Sequence, residues 1–181
     1  MTLRNPVTMK KYVVVLLLLL TSSIRLAYAD FNDGVVDYLM GQYDKAYNTM
    51  RSLAETADHA YAQYYLGMMY LNGQGVDQSY EEAAKWFRKA AEHGVPQAQY
   101  KLGYLYSNGQ GLPKDMEYAY AWYRVGAEYH HQKSINSIDK VKAQLTEDEL
   151  KAAEKLSQDL IKQYGPKEVE QAQEPKNIDN K

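Results

Sequence analysis

The amino-acid sequence predicts an all-α fold, an α/α superhelix (solenoid) built from helix-turn-helix repeats. The main observation is an internal repeat: residues 60–95 and 96–131 align at an offset of 36 residues, with 16 identities over 36 positions. A period of this size is typical of two short helices and one loop stacked on their copies. Apolar residues at helical spacing and residues that start or end helices indicate the same fold class.

Residues 1–29 have the pattern of a secretory signal peptide. A positively charged start precedes an apolar run, and the Ala-Tyr-Ala sequence at residues 27–29 matches a small-x-small cleavage site. The uncharged stretch, residues 12–24, has 13 residues, whereas a membrane-spanning helix needs about 20. We therefore predict cleavage after Ala29 and a periplasmic or secreted protein without stable membrane insertion. A retained membrane anchor is the alternative.

The composition excludes several kinds of site. Without residues 1–29 the chain carries 17 basic and 23 acidic residues, a net charge of −6. This charge argues against non-specific nucleic-acid binding, which requires a basic surface. The chain contains no cysteine, so zinc-thiolate and thiol redox chemistry are excluded and packing must supply the stability.

Residues 30–58 are predicted to form an eroded N-terminal repeat. The spacing of its glycine, tyrosine and alanine residues resembles that of the later repeats, but its loop is shorter. We expect a first helix, a tight turn at Gly41 and a second helix from about Tyr43 to Thr56, each with an apolar stripe at helical spacing.

Residues 59–94 and 95–131 form repeats 1 and 2, each with two predicted helices. Asp58 is the expected N-cap of the first helix of repeat 1, and Pro96 occupies the first turn of the corresponding helix in repeat 2. The predicted caps of the second helices are Ser79, in a capping box with Glu82, and Asp115.

Residues 132–165 are predicted to be C-terminal capping helices. A helix at residues 134–144 is followed by a second one that starts at a capping box formed by Thr146 and Glu149. A solenoid needs such an element because its last apolar face would otherwise meet water. Residues 166–181 have little to bury and are predicted to be a disordered polar tail.

Four motifs of the first copy recur in the second with few substitutions: Ala62-Gln63-Tyr64-x-Leu66-Gly67-x-x-Tyr70, Gly73-x-Gly75-Val76, Ala83-x-x-Trp86-Phe87 and Ala90-Ala91-Glu92-x-Gly94. They resemble the Sel-one-like (Sel1-like) repeat family, relatives of the tetratricopeptide repeat with a longer internal loop. The resemblance implies a superhelix whose concave face is lined by the first helix of each pair, and adaptor or scaffold work. The pattern breaks at Gly126 and His130, so we expect the repeat array to end there.

No motif predicts catalysis, a cofactor or a metal site. The Gly-x-Gly loops at residues 73–75 and 109–111 lack the further residues of a phosphate-binding loop and are interpreted as turns between helices. The four histidines are not accompanied by a metal-binding motif. Trp86 and Trp122 recur at the repeat period and are predicted to be core residues. We therefore predict a non-enzymatic protein without a cofactor or metal.

Sixteen tyrosines lie beyond residue 29, and several lie off the apolar stripes. In repeat 1, Tyr61, Tyr64 and Met68 share one side of the first helix. Aromatic residues with polar tips are common anchors of binding surfaces, so we predict that this side binds a partner. Partial burial between neighbouring helices is the alternative. The candidate partner-binding residues are Phe31, Tyr61, Tyr64, Met68, Gln97, Tyr100 and Tyr104.

The sequence thus predicts an exported interaction scaffold that binds a protein or peptide in its concave groove. Two alternatives remain open. The same tyrosines could bind peptidoglycan or another carbohydrate, or the solenoid could contain the catalytic pocket of an envelope hydrolase. The absence of a non-repeating acid/base cluster in the sequence argues against the hydrolase.

Overall fold

The structure, a computed structural model, describes residues 30–167. Within this range the chain is helical and contains no strand, which confirms the predicted fold class. The helices are α1 (residues 30–39), α2 (Tyr43–Thr56), α3 (Ala60–Asn72), α4 (Tyr80–Glu92), α5 (Pro96–Asn108), α6 (Met116–Glu128), α7 (Gln132–Lys142) and α8 (Glu147–Tyr164). The predicted signal peptide, residues 1–29, and residues 168–181 of the predicted tail lie outside the described residues.

The helices stack in the alternating order of a solenoid. The helix α4 packs against its partner α3 and also against α5 of the next pair, and α6 does the same with α5 and α7. The last helix, α8, packs along α6, where the ring of Tyr164 stacks on Trp122 with the centroids 5.7 Å apart. It therefore covers the apolar side of α6 that a further repeat would otherwise bury.

The core consists of residues that recur between the repeats. Leu66 and Leu102 are fully buried at equivalent positions of α3 and α5. Trp86 and Trp122 are 5% and 2% exposed on α4 and α6, so their predicted place in the core is confirmed. The two tryptophans serve packing because large aromatic side chains remove the most apolar area from water.

A glycine lets the two helices of each repeat approach closely. A Cβ atom on Gly67 would lie 2.6 Å from the ring of Phe87, and one on Gly103 would lie 2.9 Å from the ring of Tyr123. Any larger residue would push α3 from α4, or α5 from α6. The Leu-Gly pair of the repeat motif is therefore a packing requirement.

The Gly-x-Gly loops dock on the preceding helix pair. Gly75 lies against the backbone of Tyr43 at the start of α2, and Gly111 lies against the backbone of Tyr80 at the start of α4. Both glycines have positive φ, +69° and +68°. Because only glycine combines this conformation with so close a contact, the loops act as turns that join successive pairs.

The backbone pattern of the repeat extends one helix beyond the predicted break. Asp58, Gly94 and His130 are spaced 36 residues apart, and all three have positive φ, at 49°, 80° and 57°. Each precedes a first helix, and the third precedes α7, which begins at Gln132 instead of the predicted Ser134. The turn conformation thus persists at His130 although the glycine is lost.

The prediction that Asp58 caps α3 is wrong. The N-cap is His59, whose Nδ1 accepts the backbone N–H of Ala62 at 3.2 Å. Asp58 instead accepts from the side-chain amide of Gln63 and lies 3.0 Å from Nε2 of His93. Its carboxylate therefore ties the turn to α3 and to the end of α4.

The remaining predicted caps are present, one of them only in part. Ser79 Oγ accepts the backbone N–H of Glu82, but the backbone N–H of Ser79 donates to the carbonyl of Tyr70 instead of to the Glu82 side chain, so the capping box is incomplete. At α8, Thr146 and Glu149 make both hydrogen bonds of a capping box. The predicted positions of Pro96 and Asp115 are also confirmed.

The contact between α6 and α7 generates the first testable prediction. Fully buried Ala90 and Ala98 share the main core, and their equivalents one repeat later are Gly126 and Ser134. A Cβ on Gly126 would overlap Ser134 Oγ. Gly126→Ala is therefore expected to lower the free energy of unfolding by about 1–3 kcal/mol, although alanine itself favours a helix by about 1 kcal/mol over glycine.

Urea unfolding of a double-mutant cycle measures this contact. Adding Ser134→Ala to Gly126→Ala recreates the alanine pair found between α4 and α5, so most of the lost stability should return. If Gly126→Ala is no less stable than the wild type while Ser134 is present, the proposed steric constraint is wrong.

Candidate functional site

Four aromatic side chains form a cluster that joins α1 to α3. Phe31 and Tyr38 come from α1, Tyr64 and Tyr65 from α3, and we call them the α1–α3 aromatic cluster. The ring of Tyr65 lies 6.1 Å from Phe31, 5.2 Å from Tyr38 and 5.7 Å from Tyr64, each time in an edge-to-face arrangement. All four side chains are half-buried.

Three further tyrosines line a cavity of about 410 Å³ between α5 and α7, here the α5–α7 cavity. Tyr100 packs against Tyr123 at 5.7 Å and against His131 at 5.5 Å, while Tyr104 is 39% exposed. The cavity is lined by Tyr100, Tyr104, Ser107, Asn108, Lys114, Met116, Tyr123, Ser137, Lys140, Val141 and Gln144.

The structure places the seven predicted site residues in two groups. Phe31 and Tyr64 meet through Tyr65, and Tyr100 and Tyr104 meet at the α5–α7 cavity; among the described residues no ring contact joins the groups. The other predicted residues are Tyr61, which is 45% exposed, Met68, which is half-buried against the core, and Gln97, which is exposed.

Several residues of this face escaped the sequence reasoning. Tyr65 lies four positions after Tyr61, and helical geometry alone could have added it to the predicted side of α3. Tyr123 occupies the position of Phe87 one repeat later and was not among the predicted site residues. It is only 3% exposed, yet it lines the α5–α7 cavity, which no sequence signal indicated.

Three tyrosines of the face, Tyr38, Tyr64 and Tyr123, are held in their protonated form at neutral pH. Burial raises the pKa of Tyr38, Tyr64 and Tyr123 above the usual value, and nearby tyrosines add to the effect. A neutral phenol can donate and accept a hydrogen bond, as Tyr38 shows by donating to Gln74 Oε1 at 2.9 Å. The face therefore offers apolar rings with uncharged polar tips.

Two histidines hold the starts of the first helices next to these rings. His59 stacks on Phe31 with the centroids 4.4 Å apart, and His131 packs on Tyr100. His131 Nδ1 accepts the backbone N–H of Ser134 at 3.3 Å, as His59 does at α3. Burial lowers the pKa of both imidazoles, and Lys133 lowers that of His131 further. Only the neutral ring can act as this acceptor.

The described residues show no sign of a metal site or a membrane span. No group of three or more His, Asp or Glu side chains within residues 30–167 could hold a metal ion. In the same range, every helix is too short or too polar to cross a bilayer.

Comparisons with known proteins agree with this geometry. Residues 60–95 and 96–131 each match the Sel1 repeat family. A solved protective antigen of uropathogenic Escherichia coli, which displays an SLR (Sel1-like repeat) fold, is 31% identical with a TM-score of 0.75, over 86% of this chain and 35% of the antigen. A Sel1 repeat protein from Oxalobacter formigenes is 28% identical with a TM-score of 0.57, over 72% of this chain and 55% of that protein.

The chain thus spans about a third of the length of the antigen and about half of the Oxalobacter protein. No curated protein matches it.

Stacked helix pairs with a partly exposed aromatic face define an α-solenoid of the helical-repeat class. Within that class the chain is a Sel1-like repeat protein, which confirms the family predicted from its motifs. Proteins with Sel1 repeats generally mediate protein–protein interactions, and the fold is typically a non-catalytic scaffold.

The histidine caps generate a prediction about pH. Because burial lowers the pKa of His59 and His131 in the folded protein, the unfolded chain takes up these protons first as the pH falls. The contribution of these two caps to the free energy of unfolding should therefore be complete above about pH 7 and should decrease below the unfolded histidine pKa of about 6.5. Asparagine caps helices without titrating, so replacing both histidines with Asn should reduce this slope.

Urea unfolding at pH 7.5 and about pH 5.5 measures the slope. His130→Asn is the control, because it removes a neighbouring histidine at a turn of φ 57° that asparagine also tolerates. The control should keep the wild-type slope. Equal slopes for the wild type and the His59→Asn/His131→Asn variant would contradict the role of neutral histidine caps.

Proposed function

We propose that this protein is an exported scaffold that binds a polypeptide segment along the face formed by α1, α3 and α5. The main support for the proposal is that partly exposed side chains recur at equivalent positions of consecutive first helices. Tyr64 and Tyr100 occupy equivalent positions on consecutive first helices, and so do Met68 and Tyr104. The likeness to Sel1-repeat proteins, which generally bind proteins, supports it.

The anchors are held in place before a partner arrives. Tyr64 packs on Phe87 at 5.9 Å, and Tyr100 packs on Tyr123 at 5.7 Å. Each second-helix ring in turn fills the gap beside a glycine of the first helix. Side chains that are already ordered lose little entropy on binding, so more of the contact energy contributes to affinity.

The chemistry of the face suits an extended segment, whose backbone and side chains are both open to contact. The neutral tyrosine hydroxyls could bond the backbone of the segment while the rings contact its side chains.

The proposal is tested with the two exposed tyrosines. Tyr64 and Tyr100 are partly buried, so truncating them would also remove packing, whereas Tyr61 and Tyr104 are 45% and 39% exposed. Tyr61→Ala/Tyr104→Ala should reduce capture of a protein partner from envelope extract at least about tenfold, because aromatic anchors each contribute about 2 kcal/mol or more. The free energy of unfolding should change by less than about 1 kcal/mol.

Tyr118→Ala provides the matched control. Tyr118 is also 39% exposed but lies on α6, a second helix, so its removal should leave capture unchanged. Undiminished capture by the Tyr61→Ala/Tyr104→Ala variant would contradict the assigned face. Sedimentation with insoluble cell wall, weakened by the same substitutions, would assign the face to a glycan instead of a polypeptide.

Export is the second part of the proposal and rests on the pattern of residues 1–29. N-terminal sequencing of the protein from the envelope or culture medium should give a chain that starts at Asp30. Recovery of the protein only from the cytoplasm, with residues 1–29 intact, would contradict export.

A further inference from the structure

The α5–α7 cavity combines aromatic walls with two cations. Tyr100, Tyr104 and Tyr123 form its apolar part, and Lys114 and Lys140 also line it. Among the lining residues there is no Asp or Glu. A ligand group in this cavity would therefore meet positive charge without a compensating carboxylate in the wall.

The neutral polar groups of the cavity are already engaged with the backbone. Ser107 and Asn108 donate to the carbonyl of Tyr104, at 2.9 Å and 2.8 Å. Ser137 donates to the carbonyl of Lys133 at 2.8 Å, and Gln144 to that of Lys140 at 2.9 Å. These bonds leave the two ammonium groups and the tyrosine hydroxyls as the main donors for a ligand.

The two lysines are not involved in ion pairs within the described residues. Over residues 30–167 the ion pairs lie elsewhere, at Arg51–Glu55, Lys85–Glu82 and His93–Asp58. Asp115, the neighbour of Lys114 in the chain, is occupied as the N-cap of α6. The positive charge at the cavity is therefore available to a ligand.

The charge is also specific to this site. One repeat earlier, Gln78 stands in place of Lys114, and Tyr104 in place of Lys140. Gln78 donates its side-chain amide to the carbonyl of Leu71 at 2.8 Å, so the equivalent position there serves the loop itself. Since the repeat fold does not require lysine at these positions, the fold alone does not account for them.

We propose that the α5–α7 cavity binds the carboxylate of an Asp or Glu side chain in the polypeptide segment that the protein captures. This inference rests on the proposed function and adds one element of partner chemistry to it. The volume of about 410 Å³ lies within the range of about 300–1,000 Å³ for ligand pockets, so a whole side chain can enter. Without residues 1–29 the chain has a net charge of −6, which makes a local cationic site the place where an acidic group is best accommodated.

A random peptide display library, selected on the purified protein, tests the proposal. The wild type should enrich peptides that carry Asp or Glu at a constant distance from an aromatic or apolar residue. Lys114→Gln/Lys140→Gln should still enrich the apolar residue but lose the acidic preference. Lys151→Gln/Lys155→Gln, which removes the same charge from exposed positions of α8, should select as the wild type does.

The strongest peptide then measures the interaction directly. Replacing its acidic residue with the matching amide should weaken binding to the wild type at least about fivefold by fluorescence anisotropy, and less at high salt. The same replacement in the peptide should not change its binding to the Lys114→Gln/Lys140→Gln variant, because the lysines that would pair with the acidic group are absent.

The outcomes separate the two proposals. If no form of the protein enriches any peptide, the proposed polypeptide-binding function is wrong, and this inference with it. If peptides are enriched without an acidic residue, or if Lys114→Gln/Lys140→Gln keeps the acidic preference, only the inference about the cavity is overturned. Saturable binding of inorganic phosphate without acidic peptide selection would assign the cavity to a free anion and would also overturn it.

Discussion

The close approach of neighbouring helices at positions with small side chains is the constraint on which this solenoid depends. Within each repeat, a glycine admits an aromatic ring of the second helix, as Gly67 does for Phe87. Between repeats, small residues occupy equivalent buried positions: Ala90 and Ala98 at one junction are replaced at the last junction by Gly126 and Ser134, which approach each other closely. A larger residue on α7 is thus matched by a smaller one on α6, which keeps the packing dense.

The close packing of the helices also determines how well the side chains of the exposed face are ordered. A buried ring of the second helix packs against the first helix of each pair. The same ring also contacts an outer side chain of that helix, as Tyr123 contacts Tyr100. The rings of the face are therefore ordered by the same packing that stabilises the fold. The proposed anchors share contacts with the folded core, so an anchor residue can be tested cleanly only where it is largely exposed.

The two ends of the face differ in chemistry although they share one backbone plan. The end near α1 and α3 presents Phe31 and three tyrosines, while the end near α5 and α7 adds lysines beside its tyrosines. A repeat fold permits this difference because the repeats share their buried positions, whereas the side chains at exposed positions can vary from one repeat to the next. A segment that recognised both ends would bind in a single direction.

Local sequence by itself determined most of the helices, their ends and the core of this protein. Repetition at 36 residues, glycine at the turns and caps such as Thr146 with Glu149 act over a few residues, so their effect is readable from the chain. The candidate face was predicted in part, because helical periodicity places Tyr64 and Met68 on one side without showing what lies opposite.

Only the tertiary structure decided which residues meet across helices. Asp58 has the chemistry of an N-cap, but a positive φ and contacts with Gln63 and His93 give the cap to His59. Lys114 and Lys140 are separated in the chain by the whole of α6, and packing alone brings them to one cavity. The physical reason is that contacts between distant residues depend on the geometry of all the helices between them, which no local pattern encodes.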